Sequence, residues 1–144
     1  MLDVMTKPDI VLTGRKVVGG VAQAEALVTR ETISGWGGIN AMNGTIIESR
    51  HELRGVSFAG KVLVFPGAKG SSGWSAMFHT ARLAGMAPSA LLFNIMTTKA
   101  ALGAVVMRVP TVTDFDRDPL NVIATGDRVR VDGDRGTVEV WKAR

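Results

Sequence analysis

The sequence of 144 residues contains no cysteine. A chain without cysteine cannot form a disulfide, a thiolate metal site or a cysteine nucleophile. It also has only two histidines, His51 and His79, so a metal site built by this chain alone would have to rest on carboxylates. We therefore expect no metal ligand in this chain.

Long apolar segments are also missing. The longest run, AALGAVVM from Ala100, is far shorter than the roughly 20 residues that a membrane-spanning helix needs. The first residues, MLDVMTKPDIV, lack the basic-then-apolar order of a secretion signal. We therefore expect a soluble cytoplasmic protein that does not bind membranes.

Clusters of basic residues are absent as well, although the chain is basic overall. It carries a net charge of +4 and has a pI of about 10.0, but its Lys and Arg residues are scattered and no aromatic stripe lies between them. Nucleic-acid binding is therefore not expected. The length suits one domain and allows a core to form without disulfides or metals.

The order of predicted elements begins with strands and then turns to helical spacing. Residues 9–33 mix β-branched residues with glycines and predict two or three short strands. A further strand is predicted at Lys61–Phe65. It is followed by a helix whose apolar face has the spacing i, i+3, i+4, i+7, made by Trp74, Met77, Phe78 and Ala81.

The second half of the chain continues this alternation. SALLFNI predicts a strand, TTKAALGAVVMR a helix capped by Thr97 or Thr98, and VPTVT another strand. TGDRVRVDGDRGTVEVW alternates polar and apolar residues around a turn and predicts a hairpin. We therefore expect one α/β domain over residues 1–144, with a β-rich layer against a small strand–helix unit.

Two adjacent serines, Ser71 and Ser72, follow a Gly-x-x-Gly turn where the first helix is predicted to begin. The stretch is not a Walker phosphate loop, because Lys69 precedes the last glycine, Gly70, instead of following it. A serine cap explains one of the two serines. Small residues at a helix start also expose backbone N–H groups, which can hold an anion or stabilise a serine alkoxide. A helix cap, an anion cradle and part of an active site all remain open on these residues alone.

Three blocks, SGWGGINAMNGTIIESRH, GKVLVFPGAKGSSGWS and TGDRVRVDGDRGTVEV, occur in this order. Together they resemble the small subunit of aconitase X, a branch of the aconitase superfamily, over about residues 10–140. The resemblance implies a single aconitase-type swivelling β/β/α domain. It also implies a partner, the large aconitase X subunit, whose cysteines hold an iron or iron–sulfur centre. The absence of cysteine here is consistent with that division.

The resemblance also implies site residues. In aconitases a Gly-Ser-Ser-Arg motif supplies the serine that removes the substrate's α-proton. Gly70-Ser71-Ser72 matches its first three positions, so Ser71 is the expected base. The match ends at Gly73, where those enzymes have a carboxylate-binding arginine. Lys69, Gly70 and Ser72 are therefore expected to bind the substrate, together with the partner.

A glycine-rich loop carries the other expected contact surface. Trp36 stands among glycines that include Gly37 and Gly38, so the backbone of this loop can approach another surface closely. We expect these residues to lie at the site or at the interface with the large subunit.

The resemblance implies a hydro-lyase that is active only with its large subunit and acts on a small hydroxy acid. We expect the reaction to be dehydration of cis-3-hydroxy-L-proline to pyrroline-2-carboxylate, because the chain is similar overall to bacterial members of the branch. Two alternatives remain. One is the small subunit of a mevalonate 5-phosphate dehydratase, and the other is a non-catalytic, anion-binding regulatory subunit.

Overall fold

The computed structural model describes residues 6–70 and 73–143. Strands precede the first helix, and helices then alternate with strands before a final hairpin. In the described residues the helices are α1 (Gly73–Leu83), α2 (Thr98–Met107) and α3 (Pro119–Val122). The strands are β1 (Ile10–Thr13), β2 (Arg15–Val18), β3 (Val21–Val28), β4 (Ile33–Ser34), β5 (Ile39–Asn40), β6 (Thr45–Ile46), β7 (Val62–Phe65), β8 (Ala68–Lys69), β9 (Ala90–Phe93), β10 (Thr111–Thr113), β11 (Arg128–Asp132) and β12 (Thr137–Trp141).

Eight of these strands form one sheet in the order β1-β12-β11-β3-β7-β9-β10-β2. The central strands β3, β7, β9 and β10 run parallel, and the other neighbours pair antiparallel. The two edge strands, β1 and β2, are separated in the chain by Gly14 alone. The two edges of the sheet therefore meet at this glycine, and the sheet curls back on itself.

Gly14 permits this closure because it has no side chain. Its N–H donates to the Gly136 carbonyl at 2.8 Å, which holds it against the hairpin. A Cβ atom at this position would lie 2.5 Å from the Thr113 carbonyl oxygen, closer than carbon and oxygen approach in proteins. Only glycine lets strand β10 come this near to the junction of β1 and β2.

Strand β7 is buried on both faces, as expected for a parallel strand covered on each side. Successive side chains point to opposite faces, so Val62 and Val64 enter one core and Leu63 and Phe65 the other. The sheet core lies within the curl and consists of Leu12, Ala24, Ala26, Val62, Val64, Ala90, Leu92, Val112, Leu120, Ile123, Val129, Val131, Val138 and Val140. The helix-side core includes Ile33, Ile39, Ile46, Phe58, Leu63, Phe65, Trp74, Phe78, Leu91, Phe93, Ala100 and Ala104.

Both predicted helices are confirmed. Helix α1 buries three of the four residues of its predicted apolar face, Trp74, Phe78 and Ala81. Helix α2 begins after Thr97, whose side chain accepts a hydrogen bond from the Ala100 N–H at 3.3 Å. Serving as N-cap in this way satisfies one backbone donor of the first turn. No helix of the described residues has the length and apolar character to cross a bilayer.

The predicted α/β class and the strands at β7, β9, β10 and the β11–β12 hairpin are confirmed. One detail differs from the expectation of two packed units. The β-rich segment and the strand–helix segment share a single sheet, because β3 pairs in parallel with β7, with Ala26 opposite Val62. This pairing joins residues 36 positions apart (62 minus 26), and local periodicity carries no information about it.

We predict that Gly103→Ala destabilises the protein. Alanine is intrinsically better than glycine within a helix, by about 1 kcal/mol. A Cβ at Gly103, however, would lie 2.1 Å from ring carbon Cζ3 of Trp74, which is fully buried. The overpacking should cost about 1–3 kcal/mol and outweigh the propensity gain. The measurement is the melting temperature by circular dichroism.

Val105→Ala is the matched control for this substitution. Val105 lies on the same helix and its side chain is 54% exposed. Its truncation should change the free energy of unfolding by no more than about 0.5 kcal/mol. A Gly103→Ala variant that melts higher than the wild type would show that α1 and α2 are not packed this closely.

Candidate functional site

The candidate site lies at the carboxyl ends of the parallel strands β7 and β9. Residues 66–70 follow β7 and lead to α1, and residues 94–97 follow β9 and lead to α2. In α/β proteins, ligands bind at the carboxyl ends of the parallel strands, in closed barrels and in open sheets alike. The topology therefore brings the segment up to Gly70 and the start of α2 to the same end of these strands.

The predicted base Ser71 and the predicted substrate contact Ser72 lie outside the described residues. The residues on either side of them are described. Gly70 is exposed and has φ +95°, a left-handed conformation that glycine adopts without strain. Gly73 is the first residue of α1. Between Gly67 and Gly70 the structure has the short strand β8 in place of the predicted turn, and the chain bends at Gly70.

Trp74 anchors the start of α1. Its side chain is fully buried, and its indole N–H donates to the Ile33 carbonyl at 2.9 Å. The ring lies 4.4 Å from that of Phe78 and 6.2 Å from that of Phe65, measured between centroids. On the other side, a Cβ at Gly35 would lie only 2.6 Å from the Trp74 Cα. The first turn of α1 is thus held by packing on all sides.

Lys69 is joined to a carboxylate that sequence analysis missed. Its Nζ donates to Oε2 of Glu48 at 2.6 Å. This hydrogen bond holds the pKa of Glu48 below its ordinary value, against the opposing effect of burial, and the nearby Ser34 hydroxyl contributes in the same direction. The pair lies 21 residues apart in a loop region without periodicity, so no sequence signal could have identified it.

Lys99 is a second residue that sequence analysis missed. It lies in the first turn of α2, is half-buried, and its Nζ donates to the Gly70 carbonyl. A cleft of about 370 Å³ opens beside this contact. Its lining residues are Gly70, Ser75, Thr97, Thr98, Lys99 and Leu102.

The glycine-rich loop begins next to strand β8, which precedes Gly70. Strands β4 and β8 pair in parallel, with Ser34 opposite Lys69, and this pairing joins the two segments. Trp36 projects from the loop with 76% of its surface exposed. Gly37 has φ +76°, and a Cβ on Gly38 would lie 2.1 Å from the Ser34 carbonyl oxygen. Both glycines are thus required by the shape of the loop.

The described residues contain no group of three or more histidine, aspartate or glutamate side chains that could hold a metal ion. The site instead combines the ammonium groups of Lys69 and Lys99, the bend at Gly70 and the start of two helices. Such an arrangement can bind an anion and stabilise negative charge that develops during a reaction.

Comparison with known proteins places these features in context. The family model of the aconitase X swivel domain matches residues 11–140. The chain is 38% identical to the phosphomevalonate dehydratase small subunit of Thermococcus gammatolerans over 129 residues, which cover 90% of this chain and 96% of that protein. It is 41% identical to the protein of the same name from Archaeoglobus fulgidus, over 88% of this chain and 95% of that one. The crystal structure of Thermococcus kodakaraensis aconitase X in its holo-form matches with a TM-score of 0.87 and 37% identity, over 92% of this chain and 99% of that chain.

We predict that the Glu48–Lys69 pair stabilises the fold only when Glu48 is charged. Since the pKa of Glu48 is lowered in the folded chain, its contribution is present above the ordinary glutamate pKa of about 4.3 and is lost as the pH falls through the lower, folded value. Glu48→Gln should therefore lower the melting temperature at pH 7, by an amount equivalent to about 1 kcal/mol. The difference from wild type should shrink between about pH 5 and pH 3.

The control is Glu25→Gln. Glu25 forms a more exposed and longer pair with Lys61, at 3.5 Å, and exposed pairs contribute little. Thermal melts of the three proteins across this pH range give the comparison. A Glu48→Gln difference that stays constant down to pH 3 would contradict the assignment of a charged Glu48 to the pair.

Proposed function

The chain belongs to the aconitase X swivel domain family, and from this premise we propose that it is the small subunit of a phosphomevalonate dehydratase. Membership and the named relatives make it the small subunit of an aconitase-X-type hydro-lyase. The substrate rests on one observation, the similarity to phosphomevalonate dehydratase small subunits across about nine tenths of the chain. These relatives support the alternative substrate of the sequence analysis in place of cis-3-hydroxy-L-proline.

The reaction proposed is the loss of water from mevalonate 5-phosphate. This molecule has one hydroxyl group, on the carbon next to the one that bears the carboxylate. A base takes a proton from the carbon beside the carboxylate, the electron pair forms a double bond, and the hydroxyl leaves from the neighbouring carbon. That proton is weakly acidic, so the base and the developing charge both need stabilisation.

We assign the base to Ser71, with Gly70, Ser72 and Lys69 around the substrate. The described neighbours support this assignment. Gly70 is exposed and has φ +95°, and α1 begins at Gly73, so the positive end of a helix dipole lies close by. Backbone N–H groups and this dipole favour the alkoxide form of a serine, which is otherwise far too weak a base at pH 7.

The proposed partner is the large aconitase X subunit, which would carry the iron or iron–sulfur centre. The residues of this chain do not fit such a centre, because the chain has no cysteine and its described residues include no cluster of three possible ligands. The exposed Trp36 and the loop of Gly37 and Gly38 are the proposed contact with the large subunit. Residues 1–144 would act together as one swivelling domain.

We predict that the complex of this chain with its large subunit dehydrates mevalonate 5-phosphate, whereas the chain alone does not. The purified chain, the large subunit and the reconstituted complex are each incubated with the substrate, and product is followed by NMR. The same complex is tested with cis-3-hydroxy-L-proline and its trans isomer. Turnover of a hydroxyproline without turnover of the phosphate compound would reverse the substrate assignment, and turnover by the chain alone would refute the need for the partner.

We also predict that Ser71→Ala in the reconstituted complex lowers kcat by at least about a hundredfold, the scale of losing a general base. The free energy of unfolding should fall by no more than about 0.5–2 kcal/mol, the cost of losing a helix cap. Ser72→Ala is the matched neighbour and should mainly raise KM. A Ser71→Ala enzyme with a lower melting temperature and nearly intact kcat would instead identify this serine as a cap only.

A further inference from the structure

We propose that Lys99 is the residue of this chain that binds the substrate's carboxylate group. The inference rests on the proposed function in one respect, namely that the proton is removed beside a carboxylate. It answers the question raised by Gly73, which stands where related enzymes of the superfamily have a carboxylate-binding arginine. Two lysines near the serine turn, Lys69 and Lys99, are the candidates to replace that charge.

Lys69 is already matched by a carboxylate of its own chain. Its Nζ lies 2.6 Å from Glu48 Oε2, and the Glu48 side chain is 24% exposed against 49% for Lys69. Glu48 is in turn held in place, because its N–H and that of Ile47 both donate to the Gly38 carbonyl. A substrate carboxylate at Lys69 would meet the negative charge of Glu48 at short range. Lys69 is therefore better suited to holding the glycine-rich loop, which contains Gly38, next to strand β8.

Lys99 has no such partner. None of the carboxylates in residues 6–70 and 73–143 pairs with its ammonium group. An ammonium group has three donors, and the hydrogen bond of Lys99 to the Gly70 carbonyl uses one of them. The remaining donors are available to the cleft of about 370 Å³ that Lys99 lines. This is a half-buried positive charge beside open space.

Packing holds Lys99 in this position. Helix α2 lies against α1 so closely that Gly103 touches the ring of Trp74. Thr97 caps the helix two residues before Lys99. The position of the Lys99 side chain beside Gly70 is therefore set by the packing and capping of α2 as well as by its own hydrogen bond.

Two other cations at the carboxyl ends of the parallel strands already form hydrogen bonds with groups of their own chain. The Arg30 guanidinium donates to the Leu120 carbonyl and to Asn121 Oδ1, at 3.1 and 2.8 Å. Arg117 donates to the Val11 carbonyl at 2.8 Å. Among the described residues, Lys99 is thus the half-buried cation that both contacts Gly70 and lines a cleft.

The chemistry favours the carboxylate over the phosphate as the group bound. Gly70 directly precedes the proposed base, and consecutive Cα atoms are 3.8 Å apart, so a cation on the Gly70 carbonyl lies near the reacting carbon. The carboxylate is bonded to that carbon, whereas the phosphate of mevalonate 5-phosphate is at the opposite end of the molecule. As the proton leaves, negative charge grows on the carboxylate oxygens, and a cation there stabilises the transition state.

The experiment compares Lys99→Met, Lys99→Arg and Lys69→Met in the reconstituted complex. We expect Lys99→Met to lower kcat/KM by at least about thirtyfold, since it removes a charge that acts in both substrate binding and the transition state. Lys99→Arg should recover part of this loss because it retains the charge. Lys69→Met should lower kcat/KM less than Lys99→Met does. The matched control is Lys61→Met, which alters a lysine paired with Glu25 before the amino end of β7 and should change kcat/KM by less than about threefold. A Lys99→Met enzyme within threefold of wild type, or a larger loss with Lys69→Met, overturns the proposal.

Two inhibitors distinguish the carboxylate from the phosphate. Mevalonate carries the carboxylate without the phosphate, and inorganic phosphate carries only the other charge. Lys99→Met should weaken inhibition by mevalonate at least about tenfold and leave inhibition by inorganic phosphate unchanged. The opposite pattern would place the phosphate at Lys99. Equal weakening of both, with a lower melting temperature, would show a purely structural role; either result overturns the proposal.

The outcome is separable from that of the proposed function. Should the wild-type complex dehydrate cis-3-hydroxy-L-proline and not mevalonate 5-phosphate, the substrate assignment fails. The same lysine variants are then measured on hydroxyproline, whose carboxylate is also bonded to the carbon that loses its proton. A large loss with Lys99→Met on that substrate still supports the inference, and no loss overturns it.

Discussion

The buried indole of Trp74 is the contact on which the candidate site depends. The indole contacts α2 at Gly103 and strand β7 through Phe65, and its N–H donates to the Ile33 carbonyl, while Gly35 lies close against the Trp74 backbone. Three segments from different parts of the chain are therefore held against the first turn of α1. The ring can lie this close to α2 only because residue 103 is glycine. The relative positions of α1, Lys99 and the Trp36 loop follow from this packing.

The curled sheet provides the surface against which α1 and α2 pack. Its four parallel strands lie at the centre, and each of β7 and β9 ends at the same edge and leads into a helix. The antiparallel strands on one side extend the sheet until its edges meet at Gly14. Both faces of the parallel strands are covered, so their side chains alternate between the two cores. The site lies at the carboxyl ends of these strands.

The two lysines of the site differ in the groups that they contact. Lys69 is paired with Glu48, which lowers the pKa of that carboxyl group, whereas Lys99 meets only a backbone carbonyl. Both residues are lysines, and both lie within a few residues of a predicted helix start. Their different roles come from which loop packs against each of them. This difference decides which of the two positive charges is available to a bound anion.

The sequence by itself determined the elements that depend on local order. Four such features could be predicted, because each depends on residues that are close together in the sequence. They are the apolar spacing of α1, the Thr97 cap of α2, the buried run of β7 and the alternating hairpin. The serine motif was identified through resemblance to a family, although its preferred substrate from that resemblance is not the one that the named relatives support. Only the tertiary structure decided the sheet order, the fit of Trp74 against Gly103, and the contacts of Lys69 with Glu48 and Lys99 with Gly70. These partners are 21 to 29 residues apart, and such pairings are set by how whole segments pack, which no local pattern encodes.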